Sequence, residues 1–414
     1  MEITDTIVGI DVGTTKTCAV VANVGLDGDL AILGVGLVPT RGMLKGVVND
    51  IEKVIASIRE ARIQAERAAN VDIDSAFVTL NGAHVRAILS NAVVAIADPN
   101  RGITAEDAEN ALDISQRVAI PDGSRLVDVR VRDYIVDGQI GISDPVGMSG
   151  MRLEVNALLL TAGIPQLEDL YRAVNQAGID VENIILKPIA SAEAILGSDE
   201  RERGVAVVDI GGGTTGVAVY RDDGLSHVRI LPLGGDHIDS DLVYGIGVSK
   251  RQARHLMIKF GGVDKEHRNS EDIIELSKDG GGRKEVLPLK ILSEIIYPRI
   301  EEILRLIKQD LTDAGIINDL KSGIVLTGGL AQLPGISDVT ADITGYRTRI
   351  GYPRGIQGLP EDIRNPMFST AIGLVKLGHF EMVDKLSTFQ PNGVHNALTT
   401  VGGWGKQVMK MFFS

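Results

Sequence analysis

Residues 206–215 read AVVDIGGGTT, and residues 7–15 near the amino terminus read IVGIDVGTT. Each stretch is an apolar run ending in an aspartate, Asp209 or Asp11, then one apolar residue, glycine and a pair of threonines. A second apolar run follows each turn, GVAVY at 216–220 and TCAVV at 17–21. Apolar run, glycine-rich turn and apolar run predict a β-hairpin. The turn glycines are expected at positive φ, where they also let backbone N–H groups approach a ligand directly. Such N–H groups, with threonine hydroxyls, form a concavity suited to phosphate oxygens. A carboxylate at the strand end offers a hard oxygen to hydrated Mg2+. Two such hairpins face to face would clamp a nucleotide's phosphates. The candidate phosphate residues are Gly13, Thr14, Thr15 and Lys16 in the first copy and Gly211, Gly212, Gly213, Thr214 and Thr215 in the second. Asp11 and Asp209 are the candidate metal residues. Lys16, present in the first copy alone, adds a point charge.

One turn of this kind is ordinarily only a hairpin; two in matching strand contexts point to a duplicated site. The G-x-x-x-x-G-K-[ST] pattern is absent from both. GGGTTG at 211–216 matches G-x-G-x-x-G in letters, but an apolar strand follows it rather than a helix, so the dinucleotide reading fails on context. A third element is GIVLTGGLAQLPG at 323–335. Its strand ends in Thr327, Gly328 and Gly329, and bare glycines let an adenine or ribose lie close against the turn.

The composition sets the class. At 414 residues, and roughly 150 residues per domain, the chain holds two or three domains with ample core. The net charge of −13 argues against a general nucleic-acid binder. A single cysteine, Cys18, excludes an internal disulfide and fits a reducing compartment. MEITDTIVGID lacks the basic and long apolar regions of a secretory signal. No apolar run approaches the about 18 residues of a membrane span. The expectation is a soluble, cytosolic, multi-domain chain.

Two hairpins plus a late strand-TGG turn resemble the actin, sugar-kinase and DnaK-type ATPase superfamily. DVGTTKTCAVV (11–21), LNGAHV (80–85), DPVGMSGMRLEV (144–155), VVDIGGGTTGVAVY (207–220), LPLGGDHIDSDL (231–242) and VLTGGLAQLPG (325–335) resemble the FtsA family of bacterial cell-division proteins, in the family's order. The resemblance implies an α/β, two-lobed actin-like ATPase fold of duplicated ribonuclease-H-like domains. It implies ATP with Mg2+ in the cleft, and it adds Gly234 and Gly235 to the nucleotide residues. It also implies actin-like filaments of the protein itself, and subdomain 2B binding the carboxy-terminal tail of FtsZ; slow or absent turnover is expected because nothing near the phosphate loops is an obvious candidate to orient an attacking water. Later divisome proteins would be recruited through subdomain 1C, at the cytoplasmic face of the membrane at the division site. The sequence departs from the family at one place: Arg254 and Met257 stand where a Glu and a Lys are expected to touch the nucleoside.

The expected organisation is subdomain 1A at 1–83 and 163–198, with an inserted α+β subdomain 1C at 84–162. Subdomain 2A is expected at 199–240 and 306–385, and 2B at 241–305. Residues 47–69 carry apolar positions at helical spacing, and TAEDAENALDISQRVAI (104–120) opens on Thr104 and Asp107, which suit a helix start. KPIASAEAIL (187–196) and FSTAIGLV (368–375) read as close-packed helices linking the halves. Pro298, inside the helical pattern from 293, is expected to kink it or mark an early turn.

Residues 386–402 read as a linker, and 403–414 as an amphipathic helix. Trp404, Val408, Met411 and Phe412 share one helical face, with Lys406 and Lys410 opposite. An apolar stripe opposite lysines on a tether suits an anionic bilayer surface. The other readings are an FtsA-like pilus-assembly adaptor, a metabolic kinase and a DnaK-type chaperone. The kinase lacks a nameable general base, and the chaperone lacks a peptide-binding domain after the ATPase.

Overall fold

The computed structural model describes residues 5–25, 28–98, 101–277, 284–357, 359–361 and 363–388. Most of the linker and the whole terminal helix, with Trp404, Lys406, Val408, Lys410, Met411 and Phe412, lie outside the described residues.

The first hairpin is β1 (Asp5–Val12) paired antiparallel with β2 (Lys16–Val24), and β3 (Leu30–Pro39) pairs antiparallel with β2. A ribbon of β4 (Met43–Leu44) and β5 (Val47–Val48) leads into α1 (Ile51–Ala69), which therefore starts later than the expected residue 47. Asp50 caps α1 by accepting from the Lys53 N–H, and Asn70 ends it in the left-handed conformation. The apolar face of α1 buries Val54, Ile55, Ile58, Ala61 and Ala65. It lies so close on β3 that a β-carbon on Gly36 would stand 1.9 Å from the Ala61 carbonyl oxygen. β6 (Ser75–Leu80) then runs parallel to β1.

An inserted unit follows. β7 (Arg86–Ala95), α2 (Ala105–Ser115), β8 (Ser124–Val136), β9 (Gln139–Ile142) and β10 (Arg152–Gly163) make a four-stranded sheet in the order β7-β10-β8-β9, with its own core of Ala92, Val94, Ala111, Leu153 and Val155. Thr104 and Asp107 form a reciprocal cap at the start of α2. α3 (Ile164–Gln176) returns the chain to β11 (Asp180–Leu186), parallel to β6, and α4 (Lys187–Ile195) and α5 (Ser198–Arg203) leave the first half.

The second half repeats the path. β12 (Val205–Ile210), β13 (Thr215–Arg221) and β14 (Gly224–Leu231) form an antiparallel meander. α6 (Gly235–Ile246), α7 (Lys250–Phe260), α8 (Lys265–Asn269), the pair β15 (Ile273–Ser277) and β16 (Lys284–Pro288), and α9 (Leu289–Asp313) come next. β17 (Ile324–Thr327) then runs parallel to β12, α10 (Ile336–Thr344) leads to the parallel β18 (Thr348–Ile350), and α11 (Ser369–Thr388) closes the described chain. The two large sheets have the orders β11-β6-β1-β2-β3 and β14-β13-β12-β17-β18. Each is three antiparallel strands continued by two parallel ones, one topology used twice. α9 runs unbroken through Pro298. The proline removes the bond to the Glu294 carbonyl, but Ile296, Ile300, Ile303, Leu304 and Ile307 bury the helix on both sides of it. Packing outweighs one lost hydrogen bond.

The halves exchange helices. α11, from the second half, lies on the first sheet: a β-carbon on Gly9 would sit 2.7 Å from the Ala371 carbonyl oxygen. α4, from the first half, packs Pro188 against Gly216 of β13. One apolar cluster accordingly holds Ile7 and Phe77 together with Val207, Ala218, Ala371 and Leu374.

Candidate functional site

The exchange brings the two hairpin turns together. A β-carbon on Gly213 would lie 2.6 Å from the Thr14 hydroxyl oxygen, and one on Gly212 would lie 2.2 Å from a Thr15 methyl. This close approach, not backbone conformation, is why glycine is needed: Gly13, Gly211, Gly212 and Gly213 do not adopt the positive φ expected of them. The TGG turn does, with Gly328 at φ 86. Asn81, from the LNGAHV stretch, crosses the cleft to donate from Nδ2 to the Thr214 hydroxyl at 2.7 Å. The Gly234–Gly235 turn wraps the second hairpin: Gly235 N–H donates to the Gly211 carbonyl at 3.0 Å and Asp236 N–H to that of Gly212 at 2.7 Å. The amino terminus of α6, with its partial positive charge, therefore abuts the second hairpin turn.

The two aspartates end β1 and β12 in equivalent places, and both are buried. Asp11 Oδ1 accepts from the Thr79 hydroxyl at 3.2 Å, and its Oδ2 faces Lys16 Nζ and Lys187 Nζ, both at 3.4 Å. Burial alone would push the Asp11 carboxyl up, but Lys187 and Lys16 outweigh it and hold it below the ordinary carboxylate value. Burial likewise opposes the charge on Lys187, yet Asp11 and then Asp209 raise its pKa above that of a free lysine. Asp209 Oδ2 accepts from the Ser191 hydroxyl at 2.5 Å and the Thr370 hydroxyl at 3.2 Å. Its Oδ1 is buried with no hydrogen-bond partner among the described residues.

This donor set bears on the expected Mg2+. Asp209 keeps a carboxylate oxygen unpartnered in the site, which suits a cation or a cation's water. Asp11 does not: both of its oxygens are engaged, one of them by two ammonium groups. Among the described residues no three His, Cys, Asp or Glu side chains gather as a metal site.

Lys187, Ser191, Thr79, Asn81 and Thr370 escaped the sequence reading. A signal existed for the first two: Lys187 and Ser191 are four apart in a largely small and apolar helix, hence on one face. Thr79, Asn81 and Thr370 are ordinary polar residues whose partners lie 68 to 161 positions away.

Arg254 sits on α7 and reaches back to α6. Its Nε donates to Asp239 Oδ2 at 2.6 Å, and its terminal nitrogen bonds Asp236. Asp239 is fully buried with Oδ1 unpartnered, and burial raises its pKa despite Arg254. Met257 packs on the core of the second half.

Comparison with known proteins agrees with this architecture. The family model described as "Cell division protein FtsA" matches residues 206–373, and "SHS2 domain inserted in FTSA" matches residues 82–161, the inserted sheet. The chain is similar to solved structures of a PilM–PilN type IV pilus biogenesis complex (TM-score 0.64, 17% identity, 90% of this chain and 98% of that one). It is also similar to MreB5 of Spiroplasma citri bound to ADP (TM-score 0.55, 14% identity, 94% and 99%). These likenesses show an actin-like ATPase fold. FtsA of Pseudomonas aeruginosa is 35% identical over 92% of this chain and 91% of that one, and FtsA of Bacillus subtilis 36% over 89% and 82%. FtsA of Escherichia coli K12 is 35% identical over 90% of each chain. With the duplicated sheets, the exchanged helices and the inserted unit all in place, this chain belongs to the FtsA family of cell-division proteins.

Proposed function

We propose that this protein is an ATP-binding, actin-like scaffold of cell division that polymerises and tethers FtsZ filaments to the cytoplasmic face of the membrane at the division site. The observation that carries the nucleotide reading is the pair of hairpin turns in contact across the cleft, with the unpartnered Asp209 oxygen at the end of the second hairpin's first strand, beside Gly328. Gly13, Thr14, Thr15, Lys16, Gly211, Gly212, Gly213, Thr214 and Thr215 would surround the phosphates, and Gly234, Gly235, Gly328 and Gly329 the sugar and base. Mg2+ accompanying the triphosphate would lie on the Asp209 side, where it neutralises phosphate charge and fixes the phosphates' orientation.

The remaining roles rest on family membership. Residues 241–305 would bind the carboxy-terminal tail of FtsZ, and the inserted unit at 84–162 would meet later divisome proteins. The segment 403–414 would lie in an anionic membrane surface; no helix among the described residues is long and apolar enough to cross a membrane. No nucleic-acid partner is proposed. Turnover is proposed to be slow, because a scaffold needs nucleotide mainly to fix the angle between its lobes.

Titration calorimetry with ATP and Mg2+ tests the cleft. Lys16→Ala should weaken binding by about 10–100-fold, as for a lost charge-assisted contact, whereas Asp209→Ala should remove whatever effect Mg2+ has on binding. Unchanged affinity in Lys16→Ala would defeat the assignment.

A further inference from the structure

Lys187 stands between the two hairpins, with little of its side chain exposed. Its Nζ is 3.4 Å from Asp11 Oδ2 in the first hairpin. On the other side, the position a β-carbon would take on Gly211, in the second hairpin, is 3.9 Å from the same nitrogen. One turn further along α4, Ser191 bonds Asp209. One helical face therefore presents an ammonium to one aspartate and a hydroxyl to the other.

The backbone that carries this pair is fixed from both sides. Pro188 packs on Gly216 and Ala190 lies under Gly373. Lys187, Pro188, Ile189, Ala190 and Ser191 are all buried. The Lys187 side chain keeps only 11% of its surface exposed, and withdrawing the ammonium into the apolar core would strand a charge.

We propose that Lys187 is the tethered cation of the cleft, standing between the two hairpins and supplying there the positive charge that a divalent metal would supply, so that nucleotide binding does not require Mg2+. This rests on the nucleotide reading above and narrows it. The charge count supports it. Asp11 and Asp209 carry two negative charges, and Lys16 and Lys187 two positive ones, so the cleft is balanced before any metal enters. A metal bound directly to Asp11 would place a doubly charged ion against two ammonium groups in a water-poor site, where like charges repel strongly. The triphosphate can instead meet Lys16 and Lys187 directly, as a point-charge contact of the kind lysine makes with phosphate. Asp209 keeps its free oxygen for the cation that travels with the nucleotide, which then contributes to orientation more than to affinity.

The test is ATP affinity, by calorimetry or a fluorescent ATP analogue, in excess Mg2+ and in EDTA, for the full chain. The expected result is a dissociation constant within about 5-fold in the two conditions for the unaltered protein. Lys187→Met should lose about 10–100-fold in EDTA, as expected for a lost charge-assisted contact, with a smaller loss in Mg2+. Lys187→Arg should keep part of the metal independence. Circular dichroism melts establish that each variant is folded, and the comparison within the unaltered protein needs no variant at all. If that protein binds ATP with Mg2+ but loses affinity in EDTA by more than about 5-fold, Lys187 only neutralises Asp11 and the inference is overturned, while the nucleotide reading stands. If ATP binds under neither condition, the nucleotide reading fails and this inference with it.

Discussion

Gly373 of α11 and Ala190 of α4 touch where the two exchanged helices cross: a β-carbon on Gly373 would lie 1.7 Å from the Ala190 carbonyl oxygen. The obstacle is backbone, not a side chain that could swing away, so the helices must separate to admit even a methyl group. Gly373→Ala should therefore cost about 1–3 kcal/mol, the usual range for overpacking a core, although alanine has the higher helix propensity. Urea unfolding measures it, and a stabilised variant would show that the two helices are not in contact. Because α4 carries Lys187 and Ser191, the same variant should also weaken nucleotide binding.

Cys18 is the chain's single cysteine and lies on β2 with no exposed surface. Burial pushes its thiol up to about 11. In the unfolded chain the thiol ionises near its ordinary value of about 8.5. A raised folded value means that the contribution to stability is complete below the unfolded pKa and is lost as pH rises through the folded one. Stability should fall by about 3 kcal/mol between roughly pH 8.5 and 11, and Cys18→Ala should remove this part of the pH dependence. At pH 8 the native thiol should ignore an aromatic disulfide reagent that labels the urea-unfolded chain at once; fast labelling of the native protein would contradict the burial.

Arg254 is the cation beside Asp239, whose second carboxylate oxygen already lacks a partner. Arg254→Ala leaves that buried charge uncompensated and should destabilise the protein by about 1–3 kcal/mol. Asp239→Asn in the Arg254→Ala background should recover part of the loss, because a neutral amide is cheaper to bury. A double variant no more stable than the single one would mean that the pair is not coupled.

The terminal segment should hold the protein on anionic vesicles through Trp404, Val408, Met411 and Phe412. Full burial of one such side chain is worth about 1.5–3 kcal/mol, less at an interface, against about 1 kcal/mol for each of Lys406 and Lys410. Trp404→Glu should release the protein in co-sedimentation, while the double lysine-to-alanine variant should weaken binding only in part, an effect that high salt mimics. Removal of 403–414 with no change in co-sedimentation would sink the tether.

The hairpins, the strand-TGG turn and the cap at Thr104 and Asp107 were legible in the sequence because each is local. Periodicity, turn residues and caps act over a few positions, and a motif written twice announces a duplicated fold. The glycines were legible too, but for the wrong reason. The motif predicts turn glycines at positive φ, whereas the need for glycine at Gly212 and Gly213 arises from Thr15 and Thr14, some two hundred residues away. Pro298 lies inside α9, and the buried face of the helix continues on both sides of it. Only tertiary structure could decide what surrounds Asp11. Lys187 is 176 positions from it, and they meet because β11, two places from β1 in the first sheet, delivers α4 to the end of that sheet. Sequence patterns record what a residue does to its neighbours in the chain. The electrostatics of a cleft depend on which charges the fold gathers away from water, and that is set by long-range packing.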